Sequence, residues 1–126
     1  MNAVLWVLQV LLAAAFFAHG MLFLTPPAEM VEQMSVLPRA FQIFLGAAEV
    51  LAAIGLTLPG ITRIGPWLVS AAAAGLMIVM IGATIWHIVR DEISAAMITA
   101  VLLALLTCVA YMRWKVRPIT PRTARA

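Results

Sequence analysis

The sequence predicts an all-α protein, a transmembrane antiparallel four-helix bundle with a short interfacial helix between its first and second spans. Three observations carry that reading. Apolar residues fill 65% of the 126 positions while Asp, Glu, Lys and Arg fill only 10%, against roughly 45–50% and 25% in soluble domains. Four apolar runs, residues 3–24, 40–58, 66–89 and 93–112, match the roughly 20 helical residues needed to cross a hydrocarbon core of about 30 Å. Among Asp, Glu, Lys and Arg, only Glu49 falls inside a run. Lipid satisfies no backbone N–H or C=O, so these runs form helices rather than isolated strands.

The first span opens MNAVLW without Lys or Arg, and its apolar stretch exceeds the roughly 7 to 15 residues of a cleaved signal peptide, so it is expected to stay as a span. The segment TPPAEMVEQMSVLPR that follows is too polar to cross. Thr25 is expected to cap a short helix over residues 26–34, with Pro26, Pro27 and Glu29 in its first turn. Met30 and Met34, four apart, share one face of it and Glu29 and Glu32 point elsewhere, as in a helix lying on the membrane surface. The second span is expected to end at Leu58, before a loop over residues 59–65 bracketed by Pro and Gly. RDEIS makes a brief reversal between the third and fourth spans. Residues 1–117 thus form the transmembrane domain, and 118–126 read as a disordered basic cytoplasmic tail. Gly75 and Gly82, seven apart on one face, are expected to mark a tight helix crossing.

Alternating helix direction puts the amino terminus, the loop after Leu58 and the tail on one side of the membrane, here side A. Six of the eight Lys and Arg residues fall there (Arg63, Arg113, Lys115, Arg117, Arg122 and Arg125), while Arg39 and Arg90 fall on side B. The positive-inside rule therefore makes side A, with both termini, cytoplasmic. Glu29, Glu32, Asp91 and Glu92 all lie on side B. Trp6, Trp67, Tyr111 and Trp114 gather near side A and Trp86 near side B, as interfacial aromatic belts do.

Ionisable residues inside spans are costly and are functional candidates by default. Glu49 lies at the middle of the second span, where it is expected to face inward on a stripe with Gln42, Gly46 and Ala53. His19 lies about 8 Å from the middle of its span toward side B and His87 about 13 Å. His19, Gln42, Glu49, Thr84 and His87 are thus the candidate ligand-binding or proton-handling residues, lining one pocket that opens toward side B. His87 beside Trp86 also fits a plain headgroup-level residue, and His19 a helix-fixing partner for Glu49. As a pair, His19 and Glu49 suit holding or passing a proton.

Other chemistries are poorly served. The single Cys108 excludes a dithiol relay within the chain. The depths of the two histidines differ by about 5 Å, which a bis-histidine haem tolerates poorly, and zinc lacks further ligands, so no metal is expected. Basic residues sit beside spans, where topology explains them, so no nucleic-acid partner is expected. No Walker, Rossmann or Ser-His-Asp pattern occurs.

The runs FLGAAEVLAAIGLTLPGITRIGPWL, AAAAGLMIVMIGATIWHIVRDE and LLALLTCVAYMRWK resemble the DoxX-like family of small bacterial four-helix membrane proteins. The telling parts are Glu49, the Leu58-Pro59 turn and the stretch from His87 to Glu92. The resemblance implies a multi-pass inner-membrane protein, and relatives include membrane subunits tied to thiosulfate or quinone redox chemistry as well as accessory or assembly proteins. The leading expectation is a small membrane subunit, part of a quinone-linked oxidoreductase if catalytic at all, that binds a lipophilic redox ligand such as a quinone. The alternatives are a non-enzymatic accessory factor for a membrane protein partner and, more weakly, proton-coupled transport of a small solute, which would need a homo-oligomer to make room for a path.

Overall fold

In the computed structural model, which describes residues 2–122, the four apolar runs are membrane-length helices: α1 (Asn2–Leu24), α3 (Arg39–Thr62), α4 (Trp67–Val89) and α5 (Ile93–Tyr111). The short α2 (Ala28–Met34) stands between the first two, and a wider π-type turn (Met112–Val116) extends α5, with the Arg117 N–H reaching back to the Met112 carbonyl. α1 packs along α3 and α4 along α5, and the two pairs join mainly through α3 and α4. Leu12 and Phe16, Leu56, Leu76 and Met80, and Leu106 and Val109 meet at the centre. The opposite faces carry Val7, Leu11, Phe44, Leu51, Ile78 and Val101, all largely exposed. In water such a surface would aggregate; lipid is its natural solvent.

Since lipid tails are as apolar as leucine, close packing rather than hydrophobic transfer must hold the helices together. The tightest approach is Gly20 of α1 against Gly46 of α3. A Cβ on Gly20 would lie 2.8 Å from the Gly46 carbonyl oxygen, and one on Gly46 would lie 2.7 Å from that of Gly20. The crossing expected at Gly75 and Gly82 is not there: a Cβ at either meets nothing within 4 Å. Both face outward, because α4 buries the Val69, Ala73, Leu76, Met80 stripe instead.

Three expectations about the ends are corrected. Thr25 does not cap α2; its hydroxyl donates to the Met21 carbonyl, 3.0 Å away at the frayed end of α1, and Pro27 takes the N-cap position without a side-chain bond. Met30 and Met34 are half-buried while Glu29 and Glu32 stay exposed, as a surface-lying helix requires. α3 does not stop at Leu58 but runs through Pro59 to Thr62. Pro59 lacks the N–H that would bond the Gly55 carbonyl, yet the last turn is held by the Thr62 hydroxyl, which donates to the Leu58 carbonyl at 2.9 Å. The reversal then falls at Arg63 and Gly65, both with positive φ.

The tail is not free over 118–122. The Arg63 Nε donates to the Thr120 carbonyl (2.8 Å), the Arg122 N–H donates to the Arg63 carbonyl (2.9 Å), and Ile119 lies over Gly60. The remainder of the expected disordered segment, residues 123–126, lies outside the described residues. At the opposite end the 90–92 reversal is a Schellman motif. The Glu92 N–H donates to the His87 carbonyl and the Asp91 N–H to Ile88, with Asp91 left-handed at φ 58°.

Candidate functional site at the seam of α1 and α3

The buried face of α3 is Gln42, Gly46, Glu49, Ala53, Leu56 and Gly60, one residue every three or four, and that of α1 includes Phe16 and Gly20. Pressing the two glycines together brings their chain neighbours into contact. His19, next to Gly20, meets Glu49, three residues on from Gly46: Nδ1 and Oε2 are 2.6 Å apart. Such a distance is that of a charge-assisted or proton-sharing bond. The Glu49 side chain is 2% exposed and that of His19 54% exposed. A carboxyl at mid-span costs about 2.5–3.5 kcal/mol when ionised. The imidazole offsets part of that cost through this bond; with Nε2 unprotonated the pair carries one negative charge, and a proton gained there leaves it neutral whether nitrogen or oxygen of the contact holds the shared proton.

The His19 ring is fixed on its other side by Phe23, edge to face at 5.0 Å and 81°. With Nδ1 committed to Glu49, Nε2 is the ring nitrogen left for another molecule, and the ring opens on the outer surface of the bundle at membrane depth rather than into a central cavity. The chemistry available is narrow and definite. A proton accepted at Nε2 allows the Nδ1 proton to pass to Glu49, and the reverse step returns it.

The other three candidates do not join this pair. Gln42 lies on the same stripe of α3, but its Nε2 donates to the Met34 and Leu37 carbonyls, each at 2.8 Å, and its Oε1 accepts from Arg39. It clamps the connection from α2 into α3. Arg39 also donates to the Phe23 and Leu24 carbonyls, closing the end of α1. A hollow of about 440 Å³ at this end touches Gln42, Arg39, Ser35 and Val31 but neither His19 nor Glu49. Thr84 bonds the Thr99 hydroxyl of α5 at 2.8 Å and the Met80 carbonyl of its own helix at 2.7 Å. His87 bonds Glu92 through Nδ1 and Oε2, 2.6 Å apart, with Arg90 at 3.2 Å from the other carboxylate oxygen. The single pocket expected from helix depth is thus divided, because the polar face of α4 turns to α5. At Glu92 the His87 bond, then Arg90, holds the carboxyl below its ordinary range.

The sequence reading missed a second buried polar group. Gln9 of α1 is 0% exposed and Arg113, in the π-type turn, 5%. Arg113 donates through Nε to the Gln9 side-chain oxygen and through Nη1 to Asn2 (2.7 Å) and the Arg117 carbonyl (3.2 Å). Gln9 in turn donates to the Leu56 carbonyl at 2.7 Å, and the guanidinium lies 5.2 Å from the Trp6 ring centre. The signal available was a lone amide in a greasy run, opposite a basic residue at the end of another span.

A membrane bundle with an intraspan carboxyl seated on an imidazole of the neighbouring helix narrows the field, and the family model described as the DoxX-like family matches residues 7–109. The chain belongs to the DoxX-like family. The match takes in His19, Gln42, Glu49, Thr84 and His87, and leaves Arg113 just beyond it. No curated protein and no solved structure matches the chain. As a DoxX-like protein it is a multi-pass membrane protein, and its four long helices live in a lipid bilayer.

Proposed function

We infer that this DoxX-like protein is a small membrane subunit that binds a lipophilic redox ligand of the quinone class at His19 and moves protons between that ligand and Glu49. The observation that carries the reading is the 2.6 Å His19–Glu49 contact, with the carboxyl sealed and the imidazole open at membrane depth. A quinone enters sideways from the lipid, and its head-group oxygen meets the His19 Nε2. Taking up a proton from the reduced ligand at Nε2 passes the Nδ1 proton to Glu49, so the buried pair gains one proton and stays in contact. The electron acceptor belongs to a partner subunit. The same reading places the protein in a bacterial inner membrane with side A cytoplasmic, supported by Arg63, Lys115 and Arg117 at that end.

Mild extraction followed by native mass spectrometry tests it. Wild type is expected to retain one quinone per chain, His19→Ala to lose it, and Glu49→Gln to keep the ligand but lose the proton transfer to the protein that accompanies oxidation of the reduced ligand. Quinone absent from wild type, or retained equally by His19→Ala, refutes the reading. If a membrane protein instead co-purifies stoichiometrically with wild type and not with His19→Ala, the exposed imidazole serves a partner helix and the chain is an accessory factor.

A further inference from the structure

A guanidinium carries five N–H donors, and the structure finds acceptors for only part of the Arg113 set. Nε goes to Gln9 and Nη1 to Asn2 and Arg117, while Nη2 is buried with no hydrogen-bond partner. Gln9 and Asn2 are neutral, so among the described residues the charge also lacks a counterion. None of the ion pairs among the described residues includes Arg113. The acidic side chains are all committed elsewhere along the sequence: Glu29, Glu32, Asp91 and Glu92 belong to the side B end and Glu49 to His19. Around Arg113 on side A stand Arg63, Lys115 and Arg117, and the first turn of α1 adds the positive end of a 23-residue helix. A buried cation with no counterion and an unmet donor is costly in a membrane protein. An anion from outside the chain resolves it.

The surroundings say what kind. Trp6, whose ring lies beside Arg113, also lines a hollow of about 290 Å³ with Val7, Val10 and Leu11. These residues occupy about one and a half turns of α1, leading from the side A interface toward the middle of the membrane, and the surface they expose is wholly apolar. An apolar trough running with the membrane normal, with an unsatisfied guanidinium behind the Trp6 ring that lines it, fits one glycerophospholipid: its acyl chain lies along α1 and its phosphate oxygens accept from Nη2 after the Trp6 ring turns aside. We propose that Arg113 and the Trp6–Leu11 trough form a binding site for an anionic phospholipid of the side A leaflet. The surrounding cations select a lipid with net negative charge over a zwitterionic one, whose ammonium they would repel.

The test uses the full chain, stripped of lipid in detergent and titrated in mixed micelles with phosphatidylglycerol or phosphatidylcholine, read by native mass spectrometry. One phosphatidylglycerol per chain is expected, at least tenfold tighter than phosphatidylcholine. Arg113→Gln brings phosphatidylglycerol down to the phosphatidylcholine level. Leu11→Trp fills the trough without touching Arg113 and is expected to cut phosphatidylglycerol retention at an unchanged melting temperature, so it decides the matter if Arg113→Gln fails to fold. No preference between the two lipids, or retention undiminished in a folded Arg113→Gln or Leu11→Trp protein, overturns the proposal. Millimolar inorganic phosphate that displaces the lipid fully, and binds Leu11→Trp as well as wild type, overturns it in favour of a free-anion site.

Discussion

Replacing Gly46 with alanine puts a number on the α1–α3 seam. The new methyl carbon would sit 2.7 Å from the Gly20 carbonyl oxygen, 2.9 Å from Leu24 Cγ and 3.0 Å from Phe23 Cβ. Leu24 can rotate away, but a helix carbonyl cannot. Restoring ordinary contact at 3.4 Å therefore drives the two backbones apart by about 0.7 Å. Overpacking of that kind costs about 1–3 kcal/mol, while alanine regains about 1 kcal/mol of helix propensity over glycine. Gly75→Ala supplies the control, since its methyl group meets open space and collects the propensity gain alone. The two variants should differ by about 1–3 kcal/mol, with Gly46→Ala the less stable. The assay is reversible unfolding in mixed micelles titrated with denaturing detergent. Because Gly46 is one helical turn from Glu49, the same displacement lengthens the His19–Glu49 bond and lowers quinone retention in step with stability. Equal stability of the two variants would show that the glycine contact does not hold the seam.

Further outcomes follow from the other polar contacts. Gln9→Leu strands the Arg113 Nε donor and should cost about 1–3 kcal/mol, whereas Gln9→Leu with Arg113→Met should cost less than the sum of the single changes, as a double-mutant cycle in the same unfolding assay measures. Thr84→Val removes one interhelical hydroxyl pair and should cost only about 0.6 kcal/mol, the average for hydrogen bonds between membrane helices; a loss beyond about 2 kcal/mol would mean that α4 and α5 depend on it. The depressed Glu92 carboxyl makes its contribution to stability above the ordinary glutamate range and loses it as pH falls through the lower, folded-state value. Wild type should therefore lose more stability than Glu92→Gln between neutral pH and about pH 3, and parallel pH profiles would remove the effect.

The candidate site was legible in part. Gln42, Gly46, Glu49 and Ala53 recur at helical spacing, so their common burial on α3 follows from period alone, and Gly20 could be read as a notch on the Gln9, Ala13, Phe16 stripe. Rise per residue also placed His19 at roughly the depth of Gln42, with Glu49 somewhat deeper. Depth says nothing about azimuth, however, and His87, at a compatible depth, turns instead to Glu92. Gly75 and Gly82 lie within an apolar span just as Gly20 and Gly46 do, yet only Gly20 and Gly46 sit at a close helix crossing. In lipid both faces of a helix are apolar, so no amphipathic pattern tells which small residues face a neighbour.

Composition and run length were enough to establish four spans, their alternating direction and the short helix between the first two, because a bilayer charges every unsatisfied backbone group and every stray ion alike. Which helices pair, which polar side chains meet, and which cation is left without a partner depend on rotations about helix axes. Those are set by the close backbone approach at Gly20 and Gly46, where an added Cβ would lie 2.7 to 2.8 Å from the opposite carbonyl oxygen, and by the π-type turn that carries Arg113 inward, and no periodicity in the chain encodes them.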